Sequence, residues 1–208
     1  MRTLLFCGSP HAEGNTARAL GLVAEELGAA GIETTTLSVG TEPVRGCLGC
    51  RVCRETGRCA FDDGRVNEFL DELAASDALV LAAPTYYFSA AGQAHAFLDR
   101  AFYAGPRELF AHKPAAVLSV ARRAGAVPSV DALLKYPMIC EMPVVSTCYL
   151  PVAFGSAPGE VERDDEGVRI MRTLGRNLAW MLRSLEAARA AGVEPPEPLP
   201  KAMTNFIR

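Results

Sequence analysis

Apolar residues in this chain follow two rhythms. Short unbroken runs occur at Thr3-Leu4-Leu5-Phe6-Cys7, Asp77-Ala78-Leu79-Val80-Leu81-Ala82-Ala83 and Pro114-Ala115-Ala116-Val117-Leu118-Ser119-Val120-Ala121. Between them lie longer stretches whose apolar positions recur every three or four residues. A short run that is apolar on both faces predicts a parallel strand covered on both sides. The spaced stretches predict amphipathic helices. They fall at 16–30 (Leu20, Val23, Ala24, Leu27), 66–75 (Val66, Phe69, Leu70, Leu73), 90–103 (Ala94, Phe97, Leu98, Ala101), 129–136 and 168–191 (Met171, Leu174, Leu178, Met181, Leu182, Leu185). Two more strands are expected. One is at 32–38, where threonines follow Gly31, and one at 143–150, through Val144-Val145-Ser146-Thr147-Cys148-Tyr149. Strands alternating with helices five times predict an α/β fold with a doubly wound five-stranded parallel sheet. The domain is expected to span 1–193. Four prolines after Val193 forbid regular structure, so 194–208 is expected to be an extended tail, either wrapped on a partner subunit or mobile.

One stretch breaks the alternation. Residues 41–65 read as an inserted loop, and inside it Cys47, Cys50, Cys53 and Cys59 stand in a Cys-x2-Cys-x2-Cys-x5-Cys spacing. No packed core asks for that spacing. A four-iron cubane offers four corners, each taking one thiolate, and short spacers let the chain wrap one face. Four cysteines also suit a tetrahedral zinc, an empty thiol site or disulfides. Arg45, Arg51, Arg54 and Arg58 interleave with the cysteines. They read either as cations favouring a reduced cluster or as a solvated loop face.

Three further loops follow the carboxyl ends of predicted strands, the edge where open parallel sheets bind ligands. Gly8-Ser9-Pro10-His11-Ala12-Glu13-Gly14-Asn15-Thr16 leads from a strand into a helix N-terminus, an anion-binding arrangement with added donors from Ser9, Asn15 and Thr16. The plainer reading is a turn capped by Asn15 or Ser9. Pro84-Thr85-Tyr86-Tyr87-Phe88-Ser89 sets three aromatics beside hydroxyls, suited to a planar ring or simply to packing. Arg122-Arg123-Ala124-Gly125 adds donors. A ligand with a phosphate tail and a planar head, such as flavin mononucleotide, could use all three. Residues 155–167 carry Glu160, Glu162, Asp164, Asp165 and Glu166 and read as solvated surface.

Composition narrows the function classes. A net charge of −3 lacks the basic signature of a nucleic-acid binder. No window reaches the roughly 18 consecutive apolar residues of a membrane span. The start of the chain is too short an apolar run for a signal peptide, so the seven cysteines are expected in a reducing cytoplasm. Cys7, Cys140 and Cys148 lie in or beside apolar runs and read as core residues.

Gly8-Ser9-Pro10, Gly14-Asn15-Thr16, the four-cysteine loop, Ala83-Pro84-Thr85-Tyr86-Tyr87-Phe88, Gly92-Gln93 and Phe97-Leu98-Asp99-Arg100 together resemble the NAD(P)H-dependent FMN reductase family, over about residues 1–150. Within it they resemble the iron–sulfur flavoproteins. The resemblance implies a flavodoxin-like fold and an FMN-dependent oxidoreductase. It implies FMN phosphate held by Ser9, His11, Gly14, Asn15 and Thr16. It places Pro84, Thr85, Tyr86, Tyr87 and Phe88 on the flavin ring, and Arg122, Arg123 and Gly125 near its polar edge. It also implies a [4Fe–4S] cluster on Cys47, Cys50, Cys53 and Cys59. No side chain is required as a general base, since the flavin carries the chemistry. Where relatives often carry basic residues, this chain has His11 and Ala12, so phosphate binding leans on backbone N–H groups. NAD(P)H or a ferredoxin-like protein is the implied donor, and a quinone, oxygen species or other small molecule the acceptor. A homodimer or homotetramer is implied, with FMN near a subunit interface. Two other readings stay open: a cluster-free flavin or quinone reductase, and a non-enzymatic electron carrier or redox sensor.

Overall fold

The computed structural model describes residues 1–197, 199, 202 and 204–206. Its strands are β1 (Arg2–Cys7), β2 (Glu33–Ser38), β3 (Ala78–Tyr86), β4 (Ser89–Ala90), β5 (Ala115–Ala121) and β6 (Val152–Phe154). Its α-helices are α1 (Asn15–Ala29), α2 (Cys53–Thr56), α3 (Val66–Ala74), α4 (Gly92–Ala104), α5 (Arg107–Phe110), α6 (Ala126–Ile139) and α7 (Asp165–Ala190), with a 3-10 turn at Glu160–Arg163. The sheet runs β2-β1-β3-β5-β6 with every neighbour parallel, and β4 folds back antiparallel on the end of β3. Reversal of strand order beside β1 and β3 opens a crevice at the carboxyl edge, where ligands bind in such sheets.

The pleat explains the unbroken apolar runs. Leu4, Phe6, Leu79 and Leu81 face α3 and α4, where Phe6, Phe69 and Phe97 form an aromatic cluster with centroids 4.7 to 5.8 Å apart. Leu5, Cys7, Val80 and Leu118 face α1 and α7 on the other side. Both faces are covered, so neither can be polar. Helices α1 and α7 pack tightly at Gly175, where a Cβ would stand 2.8 Å from the Val23 carbonyl oxygen.

Ion pairs seal the α1–α7 seam. Arg172 and Arg176 both donate to Glu26, each at 2.8 Å. Hydrogen bonds from Arg176 and then Arg172 hold the Glu26 carboxyl below its ordinary 4.5. A depressed carboxyl contributes stability above its unfolded pKa and loses it as pH falls through the folded value. Stability is therefore expected to drop as pH falls below 4.5, with Glu26→Gln flattening that limb. Arg176 is mostly exposed, so screening limits the loss in E26Q near neutral pH to about 1 kcal/mol or less. Urea midpoints measured across acid pH check this.

The fifth strand lies elsewhere than the sequence predicts. Segment 143–150 makes one rung, Ala115 with Val144, and then leaves the sheet. Side chains take over its polar groups: Asn177 donates to the Ser146 carbonyl at 2.8 Å, and Thr147 donates to the Ile170 carbonyl at 2.9 Å. Pairing resumes after Pro151, where Ser119 stands beside Val152. The helix expected over 129–136 runs from Ala126 to Ile139, with Pro128 in its tolerant first turn and Pro137 in its last. In the tail, the described residues have no regular structure, and the rest of 194–208 lies outside the described residues. No helix among the described residues is long and apolar enough to cross a membrane.

Candidate functional site

A cavity of about 830 Å³ opens at the carboxyl edge, between the ends of β1, β3, β5 and β6. Its size falls in the range that holds a cofactor of FMN dimensions. The β1–α1 loop forms one wall, with Ser9, His11, Gly14, Asn15 and Thr16 all lining it. The loop is drawn close to α4: a Cβ on Gly8 would stand 2.6 Å from the Ala94 Cβ. Inside it, the Ser9 hydroxyl accepts the His11 N–H at 3.2 Å. Helix α1 begins after Gly14, which has no side chain with which to cap it. Its first-turn N–H groups therefore remain for an anion, and the helix dipole favours one. Among the described residues, no lysine lines the cavity and Arg122 is its one arginine.

The aromatic segment is a hairpin. Strand β3 continues through Pro84, Thr85 and Tyr86, and Tyr87 and Phe88 form a two-residue turn back into β4. Both turn residues have left-handed backbone, φ 49° and 63°. Pro84, Thr85 and Tyr86 line the cavity. Tyr87 is fully exposed, and Phe88 projects at 65% exposure over Gly125. The Thr85 hydroxyl turns inward. It stands 3.0 Å from the hydroxyls of Ser119 and Ser129, which donate to the Ala83 and Gly125 carbonyls. With both serine hydrogens committed, Thr85 has one hydrogen for two oxygens, so its hydroxyl serves the fold. Arg123 and Gly125 lie outside the cavity wall; Gly125 caps α6 with a φ of 89°.

The segment expected as solvated surface contributes part of the cavity. Gly155, Ser156 and Pro158 line it, and Val161 is fully buried. Three of its acidic residues have partners. Glu160 accepts the N–H groups of Ser156 and Ala157, and Asp164 caps α7 through the Gly167 N–H. Glu162 pairs with Arg18. Asn15 is the latch: its amide donates to the Ala157 carbonyl at 2.9 Å and accepts the Val161 N–H at 3.2 Å. Gly155 permits this, since a Cβ there would meet the Asn15 amide at 2.9 Å. The Asn15 side chain is thus spent on the loop, leaving phosphate to the backbone. Asn15→Ala is expected to cost about 1–2 kcal/mol of stability, since a partly buried N–H loses its partner. FMN affinity should fall with it. Fluorescence titration with FMN and urea unfolding check the two effects.

The cysteine loop forms a second pocket, on the α3–α4 side of the sheet. Cys47, Cys50, Cys53 and Cys59 all line it, with Leu48, Phe61 and Tyr103. Cys53 is buried at the start of α2, Cys59 is half-buried, and Cys47 and Cys50 are exposed. Burial pushes the Cys53 thiol up, and the three neighbouring thiols add to the rise. The donor set is all sulfur, which suits a thiolate-ligated cluster. As placed, no three Cys, His, Asp or Glu side chains among the described residues stand close enough to hold a single ion. A four-iron body spreads its corners further apart than the ligands of one ion. Arg100, on α4, lines the same pocket and is nearly fully buried. The sequence pattern carries a trace of it: Arg100 sits on the apolar stripe of α4, three residues after Phe97.

Comparison with known proteins agrees with this geometry. The model of the NADPH-dependent FMN reductase family matches residues 1–157. An iron–sulfur flavoprotein of Methanocaldococcus jannaschii is 28% identical, over 89% of this chain and all of its own length. An iron–sulfur flavoprotein of Methanosarcina thermophila is 31% identical, over 70% of this chain and 77% of its own. Among solved structures, the flavodoxin-like WrbA-like protein of Agrobacterium tumefaciens superposes with a TM-score of 0.61 at 18% identity, covering 88% of this chain and 98% of its own; it shows the flavodoxin-like fold. With the family model spanning both the phosphate-type loop and the cysteine loop, this chain belongs to the NADPH-dependent FMN reductase family and is an FMN-dependent oxidoreductase.

Proposed function

We propose that this protein is an iron–sulfur flavoprotein, with FMN in the carboxyl-edge cavity and a [4Fe–4S] cluster on Cys47, Cys50, Cys53 and Cys59. Electrons pass between NAD(P)H or a ferredoxin-like donor and a small acceptor such as a quinone or oxygen species. The observation that carries the reading is the gathering of four thiols around one pocket at a distance in the chain from the flavin cavity. The similarity to iron–sulfur flavoproteins of two archaea supports it. FMN supplies two-electron and the cluster one-electron chemistry. The chain's own part is placement. The α1 N-terminus holds the phosphate, the Asn15 latch closes the cavity over it, and Tyr86 walls the ring. The exposed Tyr87 and Phe88 fit a surface covered by a second copy, which supports a homodimer or homotetramer. A cytoplasmic location suits the thiols.

The test is an anaerobic absorbance spectrum of freshly purified protein, with iron and acid-labile sulfide assayed on the same sample. Flavin bands, a broad shoulder and about four irons per chain are expected. The exposure of Cys47 and Cys50 favours one second reading, a reductase whose cysteine loop carries no cluster. Flavin bands without iron or sulfide would establish that instead. Turnover with NADH and NADPH separates either enzyme from a passive carrier.

A further inference from the structure

Arg100 is the largest fully buried side chain among the described residues, and it carries a charge. Its Nε–H and Nη2–H both point at the Cys59 sulfur, each at 3.3 Å. The Nη2 group also donates to the Phe61 carbonyl at 2.7 Å, and Nη1 donates to the Arg45 carbonyl at 3.4 Å. Asp63 supplies the counter-charge, with Oδ1 2.7 Å from Nη2. That contact is an ion pair by distance without hydrogen-bond alignment, since the same oxygen lacks a hydrogen-bond partner. One guanidinium thus reaches both ends of the loop around the pocket.

Two of these contacts are hard to explain as a structural clasp. A neutral thiol is a weak acceptor. A buried guanidinium that needed only to fasten the loop would be better served by carbonyls. A thiolate sulfur bound to iron is a strong acceptor, and a two-pronged donor on it is a charge-assisted contact. The loop arginines do not compete for this role. Arg58 pairs with Asp71 on the surface, Arg45 lies over the Phe61 ring and shares Asp63 at 3.7 Å, Arg54 is exposed, and Arg51 lines the pocket but is exposed to solvent, where its charge is screened.

We propose that Arg100 is a positioning residue that sets the reduction potential of the cluster, by holding its N–H fork on the Cys59 sulfur. This rests on the iron–sulfur reading above. Hydrogen bonds to the sulfurs and nearby positive charge stabilise the more negative, reduced cluster, so they raise its potential. The charge is held in place from α4, a helix packed on the sheet, and does not depend on the mobility of a surface loop.

The experiment is a dye-mediated redox titration of the cluster, followed by low-temperature electron paramagnetic resonance, on wild type, Arg100→Lys and Arg100→Met. Iron and sulfide are assayed on each preparation. Both variants are expected to titrate at more negative potentials than wild type, with the larger shift in R100M. Lysine keeps the charge but loses the fork. Variants that retain their iron and titrate with wild type would overturn the proposal and leave Arg100 a clasp. Should both Arg100 variants purify without iron, Asp63→Asn decides. Removing the counter-charge leaves the guanidinium uncompensated on Cys59, so a positive shift larger than that of the neighbouring control Asp62→Asn is expected. Equal shifts in D63N and D62N would overturn it. Absence of iron and sulfide from wild type is a separate result, which defeats the cluster reading itself.

Discussion

On the iron–sulfur reading, alanine at any one of Cys47, Cys50, Cys53 or Cys59 is expected to bring iron well below about four per chain, while Cys148→Ala leaves it unchanged. A cubane that loses one thiolate corner exposes an iron to water and is held less firmly. The four positions differ in what else they do. Cys47 and Cys50 are exposed, so C47A and C50A should leave the stability of the metal-free protein within about 0.5 kcal/mol. Cys53 is buried in the core beside α4, with its sulfur 3.6 Å from the Tyr103 carbonyl. C53A should cost about 1–2 kcal/mol from lost packing even without iron. Cys59→Ala removes the acceptor of two Arg100 N–H groups, and is expected to cost at least as much. Cys148 is exposed near α7, where its sulfur faces the Thr173 hydroxyl on the opposite side of the sheet from the pocket. Iron and sulfide assays on the five variants decide the matter. Full iron in C47A or C50A would show that those thiols are not ligands.

The parts of the fold that were legible in the sequence are those where local pattern and tertiary demand agree. Strands β1, β3 and β5 are buried on both faces over most of their length, so their residues are almost all apolar, and their short length with flanking turn residues marks the runs as strands. The same holds for α1, α3 and α7, whose stripes are set by the sheet they cover. The strand predicted at 143–150 failed for the complementary reason. Its β-branched residues satisfy a propensity, but Asn177 and Thr147 offer that backbone and α7 a different set of hydrogen bonds. Propensity does not report which partner is nearby.

The site divides in the same way. Loops at strand ends can be read because the parallel topology sends the carboxyl ends of β1, β2, β3, β5 and β6 to one edge, and nine of the thirteen expected cofactor residues line one cavity there. What lay beyond reach was any role created by a contact distant in the chain. Asn15 looked like a cap or a phosphate donor, and only its distance to Ala157 and Val161 shows it as a latch. The acidic run at 160–166 reads as solvated from sequence, whereas Glu160 and Asp164 answer N–H groups a few residues away and Glu162 pairs with Arg18, which leaves the loop ordered to wall the cavity. The sequence points to the arginines of the loop itself for a cation at the cysteine pocket, whereas Arg100 reaches it from a helix some forty residues on. A lone charge on an apolar stripe is the signal that would have found it, because such a charge is costly unless something at its far end repays it.

The Tyr87-Phe88 turn gives the second large prediction. A two-residue hairpin with both central residues left-handed is the geometry that Asn-Gly fills without strain. Two aromatics there cost roughly 1 kcal/mol each relative to residues suited to it. Phe88 cannot relax by sinking, because its backbone already lies against Gly125, where a Cβ would come within 2.9 Å of the Phe88 Cα. The strain is retained although neither ring is buried in this chain, which argues that the rings serve something outside it. Replacing the pair, Tyr87→Asn with Phe88→Gly, is therefore expected to act in opposite directions. Stability of the FMN-free protein should rise by about 1–2 kcal/mol, read as a higher urea midpoint. Neither ring lines the cavity of its own chain, so FMN affinity should fall through the site of a second copy, by about fivefold, since an aromatic contact with a flat ring is worth on the order of 1 kcal/mol beyond its buried area. Association of subunits should weaken too if the tip is covered by a second copy, which sedimentation reads independently. A stability gain with unchanged FMN affinity would take the hairpin tip out of the flavin site and leave it to the subunit contact alone. A loss of stability would mean that the left-handed pair is supported by packing, so that the strain argued here is not stored at all.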